Sequence, residues 1–103
     1  MKTQHNKLVR DNIPAVVARA GGTAHIRILN DDEYKHELVR KLDEEVAEFK
    51  ADLSLEELAD IQEVINALAI VIGESAGALE QSRARKAEKR GAFRDKLFLE
   101  YTD

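Results

Sequence analysis

The sequence predicts an all-α domain: a helical hairpin with flanking helices, completed as a four-helix bundle in a homodimer, with a small β element beside it. Three observations carry this. Tyr34, Leu38, Leu42, Val46, Phe49 and Leu53 recur in steps of three and four, which puts them on one face of an α-helix. Leu58, Ile61, Ile65, Leu68 and Ile72 form a second such series, widened by Val64 and Val71. That helix is apolar over more of its circumference than one flanking layer covers, so a second copy of the chain is expected against it. The composition, 44% hydrophobic and 35% charged with one Pro and five Gly in 103 residues, suits a single helix-rich folded domain.

Along the chain, Leu8 and Val9 are possible anchors in a polar entry. Pro14 suits the first turn of a short helix, with Asn12 as a capping candidate and Gly21-Gly22 as its stop. Residues 23–29, rich in β-branched side chains, read as a short strand. Asn30-Asp31-Asp32-Glu33 reads as a capping box that opens the first long helix. Ser54-Leu55-Glu56-Glu57 reads as a second box, opening the apolar helix that Gly73 stops. A last helix is expected over about residues 75–90, ended by Gly91. Residues 93–99 read as an extended tail able to pair with residues 23–29.

The chemistry concentrates in two acidic clusters, Glu44-Glu45-Val46-Ala47-Glu48 and Glu57-Leu58-Ala59-Asp60. In each, two carboxylates stand at i and i+3, neighbours on one helix face. The break between them is short, Ala51-Asp52-Leu53-Ser54. If the helices fold back antiparallel there, Glu48 comes level with Glu57 and Glu45 with Asp60. Four carboxylates then converge on one seam, and an oxygen-only set of this kind suits a hard divalent cation, Mg2+ with Mn2+ as the alternative.

Other chemistries are excluded or disfavoured. There is no cysteine, hence no disulfide, zinc–thiolate site or cysteine nucleophile. The net charge of −4 disfavours general nucleic-acid binding. The longest apolar run, residues 67–72, is too short to span a bilayer, and the opening Met1-Lys2-Thr3-Gln4-His5 leads into no apolar signal region. The expected compartment is the cytoplasm. His5, His25 and His36 have no ligand spacing.

At these residues the chain resembles a known superfamily. The Glu-Glu-x-x-Glu cluster followed by Glu-x-x-Asp is similar to the metal-binding signature of the all-α nucleoside triphosphate pyrophosphohydrolases, which include MazG-type enzymes, dimeric dUTP pyrophosphatases and phosphoribosyl-ATP pyrophosphohydrolase. Lys7-Leu8-Val9-Arg10-Asp11-Asn12-Ile13-Pro14 resembles the opening of a small house-cleaning branch, and Glu57-Leu58-Ala59-Asp60-Ile61 and Arg90-Gly91-Ala92-Phe93 look like that branch too. The resemblance implies Mg2+-dependent cleavage between the α and β phosphates of a nucleotide, giving the monophosphate and pyrophosphate. By motif position it implies Glu45, Glu48, Glu57 and Asp60 as metal ligands and catalytic carboxylates, and it favours a homodimer or higher homo-oligomer. The gap between Glu48 and Glu57 is shorter than is usual in the superfamily, which leaves less room for a base-recognition segment.

Phosphoanhydride hydrolysis also wants cations on the phosphate oxygens. Lys7, Arg10, Lys86, Lys89 and Arg90 are the candidates; the last three also suit a helix C-terminus on electrostatic grounds alone. Structural readings compete for the acids as well. Glu57 fits a capping box opened by Ser54. Glu44 and Glu48 fit solvated charges paired with Lys41 and Lys50. Glu63 continues the i, i+3 series from Asp60 as an outer group or an exposed one. Two rival functions follow: phosphoribosyl-ATP pyrophosphohydrolase, and a noncatalytic helical binding module.

Overall fold

Asn30 starts the longest helix as the sequence requires. In the computed structural model, which describes residues 2–103, its side-chain oxygen accepts from the Glu33 N–H at 2.9 Å, and the Glu33 carboxylate accepts from the Asn30 N–H at 3.3 Å. Met1, part of the opening read for a signal, lies outside the described residues. The helices are α1 (Ile13–Arg19), α2 (Asp31–Ala51), α3 (Leu55–Val71) and α4 (Ala76–Arg90). Ser54 and Ser75 cap α3 and α4, accepting from the N–H groups of Glu57 and Ala78. Asn12 does not cap α1 through its side chain; Pro14 alone marks that start.

Gly21 and Gly73 are the stops the sequence marked. Both have positive φ, 88° and 87°, in the left-handed region that costs a side chain energy. After α3, the Glu74 N–H reaches the Ala69 carbonyl at 2.9 Å and the Gly73 N–H reaches Ile70 at 3.0 Å. These paired bonds satisfy the carbonyls that a helix end leaves free.

The central hairpin forms: α2 packs along α3, and α4 touches α3 over a smaller area. The buried apolar residues are only Leu38, Val64 and Ala69. Val64, expected to widen the stripe, is one of the two residues of α3 that are buried. Leu53, Leu55, Leu58, Ile70 and Ile72 remain exposed. Leu58, Ile65 and Ile72 are spaced by seven, so they share a face, and that face is open at both ends.

The single chain is extended. Its radius of gyration is 18.0 Å, against about 13 Å for a compact domain of this length. Its accessible surface is 9462 Å², where a folded monomer of this mass exposes about 5,800 Å².

The expected β element is not formed within one chain. Residues 23–29 and 93–99 carry no strand among the described residues. Lys96, at φ 59°, turns the backbone inside the tail, and a two-stranded ribbon has little stability in water without a layer to pack on. No helix among the described residues is long and apolar enough to cross a membrane.

Candidate metal centre

The α2–α3 hairpin brings the two acidic clusters together. Glu45 projects from the C-terminal half of α2; Glu57 and Asp60 project from the first two turns of α3. One carboxylate oxygen from each lies within 4.8 Å of the others. Three acids this close repel one another unless a proton or a cation intervenes. Glu45 is buried, a rare state for a carboxylate, and it pairs with Lys41, whose Nζ is 3.2 Å from Oε1.

Two oxygens in the cluster are left over. Glu45 Oε2 and Glu57 Oε2 are both buried without a hydrogen-bond partner. The capping alternative for Glu57 fails on this point. A full box would have its carboxylate accept from the Ser54 N–H, but that N–H goes to the Asp52 carbonyl at 2.8 Å. The Glu57 side chain is thus free of the cap and turned into the seam. An orphaned buried carboxylate oxygen costs more than a lost hydrogen bond, and a divalent cation on both oxygens removes that cost.

Glu48 departs from its expected place. It is exposed and stands outside the three gathered carboxylates, so Glu45 meets Asp60 as expected but Glu48 does not join Glu57. About 60° of helix rotation separates it from the apolar stripe of α2, enough to carry it onto the rim. It still acts on the site. Burial pushes the Glu45 carboxyl above its ordinary range; Lys41 opposes this, and the Glu48 carboxylate adds to it.

Lys41 is the site residue that the sequence reading left among the surface charges. Its side chain is only 17% exposed and bridges Glu45 and Glu44, at 3.2 and 3.3 Å. Burial works to lower its pKa, yet the hydrogen bonds to Glu45 and Glu44 hold it above the ordinary value. The usable signal was its i, i+4 spacing to Glu45.

The N-terminal entry lies over the same rim. Arg10 Nη2 donates to Asp60 Oδ1 at 2.7 Å, and Lys7 Nζ stands 3.6 Å from Glu44 Oε1. Around the seam are five carboxylates, Glu44, Glu45, Glu48, Glu57 and Asp60, and three cations, Lys7, Arg10 and Lys41, leaving two negative charges uncompensated when all are ionised. Lys86, Lys89 and Arg90 lie exposed on the last turns of α4 and form no ion pair with these acids among the described residues. Glu63 and the three histidines are exposed. Surface concavities occur elsewhere, one of about 320 Å³ beside Arg27, Leu29 and His36, another of about 430 Å³ beside residues 90–97. Neither is lined by the clustered carboxylates, which form an open seam instead of an enclosed cavity.

No family model matches the chain, and no solved structure matches it. An uncharacterized protein of Mycolicibacterium smegmatis is 56% identical over 45 residues, which is 44% of this chain and 46% of that protein. The chain therefore spans about half the length of this relative.

Proposed function

We propose that this chain is a Mg2+-dependent nucleotide pyrophosphohydrolase, acting as a homodimer and cutting the α–β phosphoanhydride of a nucleoside triphosphate, ordinary or noncanonical, to the monophosphate and pyrophosphate. The observation that carries the reading is the convergence of Glu45, Glu57 and Asp60 with two buried oxygens unsatisfied. Carboxylate-only sites suit Mg2+, which takes its remaining positions from water and substrate phosphate. When bound, the cation supplies charge neutralisation at the phosphate and acidifies a water.

The protein's own groups divide the work. Glu45, Glu57 and Asp60 hold the cation across the seam. Lys41 grips Glu45 Oε1, which leaves Oε2 for coordination. Glu48, on the exposed rim, completes the ligand set or accepts a proton from the attacking water. Arg10 and Lys7, already poised on the rim, clamp phosphate oxygens when the triphosphate arrives. In the dimer, Lys86, Lys89 and Arg90 of one copy can supplement them at the other copy's seam. The open apolar face through Leu58, Ile65 and Ile72 supports a two-fold four-helix bundle.

The test is a nucleotide panel assayed for pyrophosphate with and without Mg2+. Release from ordinary or damaged nucleoside triphosphates supports the proposal. Release from phosphoribosyl-ATP alone moves the chain to the histidine-pathway reaction. No release from any of them, with a folded dimer in the tube, leaves the binding-module reading.

A further inference from the structure

Residues 23–29 and 97–101 have neither helix nor strand, and no backbone N–H or carbonyl in either segment has a backbone partner among the described residues. Both nevertheless carry large apolar side chains in alternation: Ile26 and Ile28 in one, Leu97, Leu99 and Tyr101 in the other. Their exposures run from 64% for Ile26 to 93% for Ile28. Two unpaired segments with alternating apolar residues are a costly surface for a folded protein to leave open.

They are complementary to each other. In an antiparallel register with Ile26 opposite Leu99, Ile28 falls opposite Leu97 and Ala24 opposite Tyr101, so these six side chains share one face. On the other face His25 falls opposite Glu100 and Arg27 opposite Phe98, an acid–base pair and a cation over an aromatic ring. The parallel register that sets Ile26 against Leu97 keeps the apolar face but places His25 against Lys96 and Leu29 against Glu100, without the acid–base pair. The ends are defined too: the turn at Lys96, φ 59°, precedes Leu97, and Arg27 is tied to Glu33 of α2 at 3.0 Å.

We infer that these segments pair between two copies of the chain, each tail adding a strand to residues 23–29 of its partner. Within one chain they are unpaired, and Gly91 and Lys96, both at positive φ, bend the backbone between α4 and the tail. A two-fold dimer gives two identical ribbons, and the helical layer beneath supplies the packing surface that a lone ribbon lacks. Area argues for a second contact region. The surface of 9462 Å² exceeds the compact value by about 3,600 Å², whereas a standard interface hides only about 800 Å² per partner. This inference rests on the proposed dimer but not on its chemistry.

The chain has no native cysteine, so disulfide trapping is clean. Differently tagged Ile26→Cys and Leu99→Cys chains are co-expressed, oxidised and run unreduced, with His25→Cys plus Leu99→Cys as the wrong-face control. Circular dichroism checks the fold, and sedimentation reports the dimer independently. The expected result is a covalent heterodimer of the two tags, well above the control. Equal yield in the control overturns the register. A dimer by sedimentation that gives no heterodimer trap overturns the strand exchange and leaves the helix-face dimer standing. An Ile26→Cys/Leu99→Cys double variant that runs as a monomer with no free thiol after oxidation, and so closes within one chain, overturns pairing between copies. In the wild type, hydrogen exchange should protect both segments together, and Leu99→Pro should remove protection from residues 23–29; unprotected amides in both segments of the wild-type dimer contradict the pairing.

Discussion

Arg10 and Asp60, fifty residues apart in sequence, meet at 2.7 Å, and the carboxylate that Arg10 holds is one of the three that converge on the α2–α3 seam. On the proposed function, a cation bound at the seam would compete with Arg10 for Asp60 and free the guanidinium for a substrate phosphate.

Arg10→Gln should therefore have opposite effects on two measurements. The pair is exposed, so its loss is worth at most about 1 kcal/mol, roughly fivefold in affinity. Mg2+ binding without nucleotide, by calorimetry, should tighten by up to that factor. Turnover should fall, because a phosphate contact is lost. Unchanged Mg2+ affinity together with unchanged turnover would remove Arg10 from the site.

Lys41→Ala strips the buried Glu45 carboxylate of its main partner. Leaving such a group unpaired costs about 1–3 kcal/mol. Thermal unfolding without divalent cations should show that loss. Saturating Mg2+ should restore most of it, since a ligand of the native state stabilises in proportion to its binding. Equal destabilisation with and without Mg2+ would separate Lys41 from the metal centre.

The carboxylates should rank. Glu45→Gln, Glu57→Gln and Asp60→Asn should each lower turnover by more than about tenfold, the equivalent of about 1.4 kcal/mol in the barrier, with the helical circular dichroism intact. Glu48→Gln should lower it less, because Glu48 stands on the exposed rim. Full activity in both Glu45→Gln and Asp60→Asn would sink the ligand assignment.

These residues also show what a reader of the sequence could and could not obtain. The i, i+3 acids and the short break were enough to bring Glu45 level with Asp60, since both follow from helix period alone. Glu48 stands outside the three-acid group because level does not mean facing: one turn from Glu45, it is exposed on the rim, near enough to act on Glu45. Lys41 was missed because burial decides whether an i, i+4 pair is a surface ornament or the neutraliser of a site. The Asn30 box and the stops at Gly21 and Gly73 are local chemistry and were legible. The extended character of residues 23–29 and their match to the tail were legible as a pattern, but no local pattern tells whether a strand's partner lies in the same chain.

Stability should depend on pH through Glu45. Its folded pKa is raised, chiefly by burial, so the fold holds that proton more tightly than the unfolded chain does. The contribution is full below the ordinary glutamate range and is lost as pH rises through the elevated value. Glu33 and Glu80 work the other way. The Arg27 and Arg83 hydrogen bonds hold them below the ordinary range, and their contribution is lost as pH falls through those lowered values. Melting curves of wild type and Glu45→Gln without Mg2+ should differ in slope above the ordinary glutamate range, and Mg2+ should flatten the wild-type slope. Parallel curves would contradict the raised Glu45.

The central claim is that these carboxylates direct cleavage to the α–β bond, and phosphorus NMR of one reaction mixture tests it. With wild-type protein, Mg2+ and an accepted nucleoside triphosphate, the account predicts that monophosphate and pyrophosphate resonances grow together. It also predicts that chelation of Mg2+ or the Asp60→Asn substitution stops both. Nucleoside diphosphate with inorganic phosphate, or the same products at the same rate in Asp60→Asn, would contradict it.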